Sequence, residues 1–237
     1  MGYDFNANYE SLFFVKINKR LFRKQGEYWH RCEKTLVNTE DNIVLENWKK
    51  EIERIVRSQI WFRHFGLHWI GYVIRSEILQ KRMAWGWKDP RTTLLFPLWK
   101  RIYPNLQTIG VIRNPQDVCI SLYYRERHRY EAKTKQRRND LAFEFPLSRN
   151  FELWKLYTQR VIEIAQEYPT SSIVLRYEEL ANENSLRHLR SFVGNSCDVN
   201  DLASLVSYRR NPYEDPPGLE QLKQTLASDP LVSDLGY

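Results

Sequence analysis

Leu106-Gln107-Thr108-Ile109-Gly110-Val111-Ile112 alternates apolar residues and stops at Arg113, where Asn114-Pro115-Gln116-Asp117-Val118-Cys119-Ile120-Ser121 opens a different pattern. The first run reads as a buried strand. The second reads as a helix start: Asn114 is a preferred cap, Pro115 suits the first turn, and Asp117 stands where a capping-box acid would. Ser121 lies seven residues past Asn114, so it shares that residue's helix face roughly 10 Å further along the axis. A strand-end guanidinium beside a helix N-terminus is a good oxyanion receptor, because the fork bonds two oxygens and the helix end adds partial positive charge. This joint commits the region to an α/β arrangement around an anion.

At 237 residues the chain suits one α/β domain, or one domain with a helical addition. Its 42% hydrophobic and 14% aromatic content supports a real core and argues against disorder. A formal net charge of +7 favours anionic ligands such as a nucleotide, a phosphorylated or sulfated substrate, or nucleic acid. Cys32, Cys119 and Cys197 are odd in number and widely spaced, with neither a zinc spacing nor a disulfide framework, which places the chain in a cytoplasm-like reducing compartment. No run reaches the length of a membrane span, and Met1 to Phe5 is not a signal peptide. Met1-Gly2 is not read as a myristoylation site, since Asn6 stands where Ser or Thr is needed.

Helical spacing runs from Tyr9 to Lys24, ending at Gly26, and again through Asp41 to Leu79. Met83 to Lys88 is a short apolar run expected as a strand, and Arg91 to Ile102 a helix. The helix from Asn114 extends to about Glu126, and the basic stretch Tyr123 to Asn139 is an exposed loop or a continuation of it. Asn150 to Tyr168 is amphipathic, with Leu153, Trp154, Tyr157, Val161, Ile164 and Ala165 as its stripe. Ser172 to Tyr177 is a further strand, Leu186 to Val193 a helix closed by Gly194, and Leu219 to Ala227 a short helix. Strands separated by helices imply a parallel sheet flanked by helices.

Val111-Ile112-Arg113-Asn114-Pro115-Gln116-Asp117-Val118-Cys119-Ile120-Ser121-Leu122 closely resembles the 3′-phosphate motif of sulfotransferases that use 3′-phosphoadenylyl sulfate (PAPS). The resemblance implies that Arg113 and Ser121 hold the 3′-phosphate. Trp85-Gly86-Trp87-Lys88-Asp89-Pro90-Arg91 is similar to the Lys-Asp-Pro-Arg segment of bacterial-type members, which makes Lys88 a charge stabiliser for the leaving phosphate; the plain alternative is a Lys pairing with Asp89. Leu175-Arg176-Tyr177-Glu178-Glu179-Leu180 resembles a family strand end whose Tyr sits by adenine, implicating Tyr177. Phe151 to Tyr157 looks like the family's Leu-Trp-x-x-Tyr helix and reads as core. Tyr208-Arg209-Arg210-Asn211 falls where a basic C-terminal segment touches the 3′-phosphate, which brings in Arg209.

The family's 5′-phosphosulfate loop, a Gly- and Ser/Thr-rich turn between strand and helix, has no counterpart in Met1 to Gly26. The expectation is therefore a P-loop NTPase-like sulfotransferase fold lacking its first strand–loop–helix, over 1–237 as a single domain, with a helical insertion at 40–80 and a basic loop at 123–147. Such a chain is a fragment, one with a misassigned start, or a degenerate member. Pro90 stands where cytosolic members carry a His base, and Glu10 best matches the Glu that other branches use. Its plain alternative is a helix-start acid favoured by the dipole. The implied reaction passes a sulfuryl group from PAPS to a hydroxyl or amine of a small-molecule or glycan acceptor, with no metal, no nucleic acid and no membrane partner. The alternatives are an inactive nucleotide- or anion-binding relic and a polyanion- or nucleic-acid-binding protein using Arg125, Arg127, Arg129, Lys133, Lys135, Arg137 and Arg138. That run otherwise forms a solvated face or a lip that steers an anionic acceptor. His64 and His68 stand at i, i+4 without a third ligand and are not read as a metal site.

Overall fold

Helix α1 (Leu12–Lys24) turns Phe13, Phe14, Val15, Ile17, Leu21 and Phe22 into the interior. It ends where Gly26 takes φ +73°: the Gly26 N–H bonds the Arg23 carbonyl and the Glu27 N–H reaches back to Phe22, a left-handed closure that glycine adopts without penalty. The computed structural model describes residues 10–63, 85–134, 146–194 and 215–237. These fall into two compact units, residues 1–107 and 108–237.

The first unit is helical. Cys32 offers no side-chain cap to α2 (Glu33–Glu40); the buried Glu27 carboxylate accepts the Lys34 and Thr35 N–H groups instead, each at 2.7 Å. Asp41 accepts the Ile43 N–H at 2.7 Å at the start of α3 (Asn42–Arg63), whose buried positions Leu45, Trp48, Ile52, Val56 and Ile60 recur at helical spacing. The helix expected over Arg91 to Ile102 is two, α4 (Arg91–Leu94) and α5 (Phe96–Ile102). Pro97 has no N–H for the Thr93 carbonyl, so the chain restarts at Leu95.

Trp85–Lys88, expected as the end of a strand, forms none. Trp87 stacks on Phe14 at 4.2 Å between centroids, and its indole N–H bonds Thr92 Oγ1 at 2.9 Å. Aromatic packing and side-chain hydrogen bonds thus replace a backbone ladder. Met83 and Ala84, and the expected helix beyond Arg63, lie outside the described residues.

The second unit is α/β. Strand β1 (Thr108–Ile112) pairs parallel with β2 (Ser172–Arg176), Thr108 opposite Ser172 and Ile112 opposite Arg176. Two helices join them, α6 (Pro115–Thr134) and α7 (Leu147–Glu167). Helix α6 runs through the described part of the basic 123–147 segment, laced by Arg127–Glu131 at 2.9 Å and Arg129–Glu126 at 2.7 Å. A Cβ on Gly110 would overlap Val161 Cγ1, so the bare backbone lets β1 approach α7. Contrary to a fully buried strand, Ile109 and Val111 are 46% and 49% exposed, because no described element covers that face of β1. After β2 come a 3₁₀ turn (Tyr177–Glu179), α8 (Glu183–Val193) capped by Asn182, α9 (Leu219–Ser228) and α10 (Pro230–Asp234). Ile112, Cys119, Phe151, Trp154, Leu219 and Val232 form this unit's main core.

Candidate functional site

Because Ile112 and Arg176 pair as the last residues of adjacent parallel strands, the next residue on each strand leaves the sheet at the same edge. Those residues are Arg113 and Tyr177. The carboxyl ends of parallel strands are where open α/β sheets bind ligands. The Arg113 guanidinium carbon lies 4.9 Å from the Tyr177 ring centroid, a cation–π contact. Nη2 donates to Asp117 Oδ2 at 2.9 Å, and the Arg113 carbonyl accepts from the Trp154 indole at 3.0 Å. The buried Nε–H has no hydrogen-bond partner among the described residues, so the fork is only partly used internally.

The capping box is half realised. Asn114 Oδ1 accepts from Gln116 N at 2.9 Å and, more loosely, from Asp117 N at 3.4 Å. Asp117 is drawn to Arg113 and does not reach back to the cap. Glu178 takes its place: Oε1 accepts the Asn114 N–H at 2.7 Å and Oε2 accepts the Tyr237 hydroxyl at 2.9 Å. The Tyr237 phenol is pushed up to about 12, mainly by burial and then by its bond to Glu178, so it remains a donor at neutral pH. Pro115 has no N–H, and the other N-terminal amides are engaged. An anion at this edge is therefore bound by the guanidinium, with the helix supplying only its dipole. A cavity of about 290 Å³ opens beside the helix start between Asn114, Gln116, Asp117, Lys223 and Tyr237; Arg113, Ser121 and Tyr177 are not among its walls. Ser121 is exposed on α6, with its hydroxyl free of hydrogen bonds among the described residues.

In the first unit, Lys88 Nζ lies 3.2 Å from Glu10 Oε1, with the Lys 56% and the Glu 13% exposed. Two residues 78 positions apart are brought together, a cation beside a proton acceptor. The pairing of Lys88 with Asp89 does not form. Asp89 is buried and bound to Arg91 Nη1 at 2.7 Å and Asn18 Nδ2 at 2.8 Å. Asn18 also accepts the Trp99 indole N–H at 2.9 Å. This network, in which only the buried Arg91 Nε lacks a partner among the described residues, holds the Asp89–Thr92 turn and leaves Lys88 exposed at its edge.

Arg209, His64 and His68 lie outside the described residues, as does Cys197. Trp154, expected as core, is buried and also anchors the Arg113 backbone. Glu178 and Tyr237 were missed: Glu178 was legible only with the strand register, Tyr237 from no local signal. Asn18 was hidden in an apolar helix, where a buried Asn calls for partners.

A model of the sulfotransferase domain family matches residues 90–212, just over half of the chain. The chain belongs to the sulfotransferase domain family, and its reaction class is sulfuryl transfer. The match includes Arg113, Ser121, Tyr177 and Arg209 and starts two residues after Lys88. No curated protein and no solved structure matches the chain.

Proposed function

We propose that the protein transfers a sulfuryl group from PAPS to a hydroxyl or amine of a small-molecule or glycan acceptor, on a P-loop-like fold. The observation that carries this reading is the Arg113 guanidinium, held over Tyr177 at the carboxyl edge of a parallel pair and still carrying an unused donor. The donor set suits a phosphate monoester next to an aromatic base: a planar fork for the oxygens and a phenol ring for the adenine. Ser121 adds a hydroxyl on the same helix, and Arg209 a second cation. PAPS supplies the electrophilic sulfuryl group. Glu10 takes the proton of the acceptor hydroxyl, and Lys88 stabilises negative charge on the departing phosphate. As in phosphoryl transfer, positioning and charge stabilisation carry most of the rate.

The buried thiols of Cys32 and Cys119, both unpaired and pushed up to about 12 by burial, favour a reducing compartment such as the cytoplasm. Among the described residues no helix is long and apolar enough to cross a membrane.

Calorimetric titration with adenosine 3′,5′-bisphosphate tests the reading. Arg113→Ala is expected to weaken binding by about 2 to 4 kcal/mol. Equal affinity in the two proteins would defeat the assignment, and binding without sulfuryl transfer to any acceptor would favour the inactive relic.

A further inference from the structure

Two adjacent links join the ends of β1 and β2. Arg113 lies over the Tyr177 ring, and the residue after each forms the second link, the 2.7 Å bond from the Asn114 N–H to Glu178 Oε1. One carboxylate thus ties the backbone that carries the guanidinium to the backbone that carries the ring. Its charge is unfavourable there. Glu178 has the sign of the anion expected at this edge and competes with it for the dipole of α6. A repulsive group kept beside a binding site calls for a role other than contact with the ligand.

The second oxygen of Glu178 accepts the Tyr237 hydroxyl at 2.9 Å, and a carboxylate bonded through both oxygens does not turn away from Asn114. Tyr237 is itself held from two directions. Gly236, at φ +71°, closes α10: its N–H bonds the Ser233 carbonyl and the Tyr237 N–H bonds the Val232 carbonyl, the paired bonds of a left-handed helix stop. From β2, the Arg176 guanidinium carbon lies 4.5 Å from the Tyr237 ring centroid, and Arg176 Nη2 donates to the Gly236 carbonyl at 3.4 Å. The end of β2 therefore fixes Tyr237, Tyr237 fixes Glu178, and Glu178 fixes the start of α6.

We propose that Glu178 and Tyr237 are positioning residues of the donor site: the Tyr237 hydroxyl holds the Glu178 carboxylate on the Asn114 amide, and this bridge keeps the Arg113 guanidinium over the Tyr177 ring. The proposal rests on the reading of Arg113 as the phosphate receptor. Neither residue offers the anion a group of its own, since Glu178 repels it and the Tyr237 hydroxyl is used by Glu178. Both act through Arg113. The bland reading is that the bridge only docks α10 on the sheet. It predicts lost stability with no effect on the guanidinium.

The test is a calorimetric double-mutant cycle on the full chain, titrated with adenosine 3′,5′-bisphosphate. Glu178→Ala is expected to bind about tenfold more weakly, although removing its charge would by itself tighten binding. Tyr237→Phe keeps the ring on Arg176, removes the hydroxyl, and is expected to bind about threefold more weakly. Arg113→Ala should cost at least about fivefold less in the Glu178→Ala background than in wild type, because the guanidinium is already misplaced there. Unchanged or tighter binding in Glu178→Ala, or strictly additive losses, overturn the positioning role. Should Glu178→Ala fail to fold, Tyr237→Phe takes its place in the same cycle with Arg113→Ala. Ile164→Ala is the control for stability: α7 passes Arg113 at Trp154 and Gly110 at Val161, which puts buried Ile164 toward the opposite end of the sheet. Its affinity should stay within about twofold of wild type, and a loss equal to that of Glu178→Ala assigns the effect to folding. Hydrogen exchange of the Asn114 amide, read by NMR, reports the bridge without any ligand. It should quicken at least about tenfold in Glu178→Ala and less in Tyr237→Phe, and no change overturns the bridge. Failure of wild type to bind the bisphosphate defeats the donor reading, and the exchange rates still decide whether Tyr237 and Glu178 hold the start of α6.

Discussion

Arg113 is held by three different forces: an ion pair to Asp117, the face of Tyr177, and the Trp154 indole on its carbonyl. The ion pair is half-exposed and adds little by itself. The indole bond is partly buried and fixes the carbonyl at the strand end. Trp154→Phe replaces the bicyclic indole with a smaller ring and removes the N–H, which leaves a small cavity and the Arg113 carbonyl without that donor. It is expected to lower stability by about 1 to 3 kcal/mol and to weaken binding of the bisphosphate, as read by denaturant titration and calorimetry. Bisphosphate affinity unchanged in a variant that loses stability would limit Trp154 to packing. Arg113 itself was legible in the sequence, because a strand end, a cap and a guanidinium are all local signals. Its partners Tyr177 and Trp154 were legible as residues but not as partners, since contact across 64 and 41 positions depends on strand register and helix packing.

At the scale of elements, the βα joint shows how one glycine sets a packing distance. Gly110 lies in the middle of β1, where glycine weakens a strand, yet any Cβ there would run into Val161 on α7. Gly110→Ala is expected to destabilise by about 1 to 3 kcal/mol, as overpacking does, because the stiff valine cannot turn aside cheaply. Thermal unfolding of Gly110→Ala, alone and combined with Val161→Ala, checks this: the second change should recover much of the loss. The stops at Gly26 and Gly194 were read from the sequence, whereas the helix expected from Leu186 starts at Glu183 behind its Asn182 cap. One element read wrongly was Trp85–Lys88, where an apolar run suggests a strand by composition. Its two tryptophans are used instead to cover Phe14 and Trp99, which no local pattern announces.

For the molecule as a whole, buried charge sets the dependence of stability on pH. Burial raises the Asp89 carboxyl above its ordinary range, and Arg91 and Asn18 offset this only in part. The folded chain therefore holds that proton more tightly than the unfolded chain does. This contribution is full below the ordinary aspartate range and is lost as pH rises through the folded value. Glu51 acts in the opposite sense: its hydrogen bond to Lys24 lowers it, so its contribution is present above the ordinary glutamate range and is lost as pH falls. Denaturant unfolding of wild type and Asp89→Asn between about pH 3 and pH 7 separates the two effects. The stability of wild type relative to the variant should fall as pH rises, and a flat difference would contradict the raised value.

Part of the local order came from the sequence alone: the helix stops at Gly26 and Gly194, the two paired runs as strands, and a guanidinium where strand meets helix. The order of motifs placed the chain among sulfotransferases, and a family match over 90–212 shows that membership. Tertiary structure decided the partnerships. It set Lys88 on Glu10 and not on Asp89, gave the Asn114 amide to Glu178 and not to Asp117, and used two tryptophans as packing instead of strand. The reason is physical: capping, turns and periodicity are settled by residues within one or two helical turns, whereas the partner of a charge or a buried donor is settled by burial and register between segments far apart in the chain.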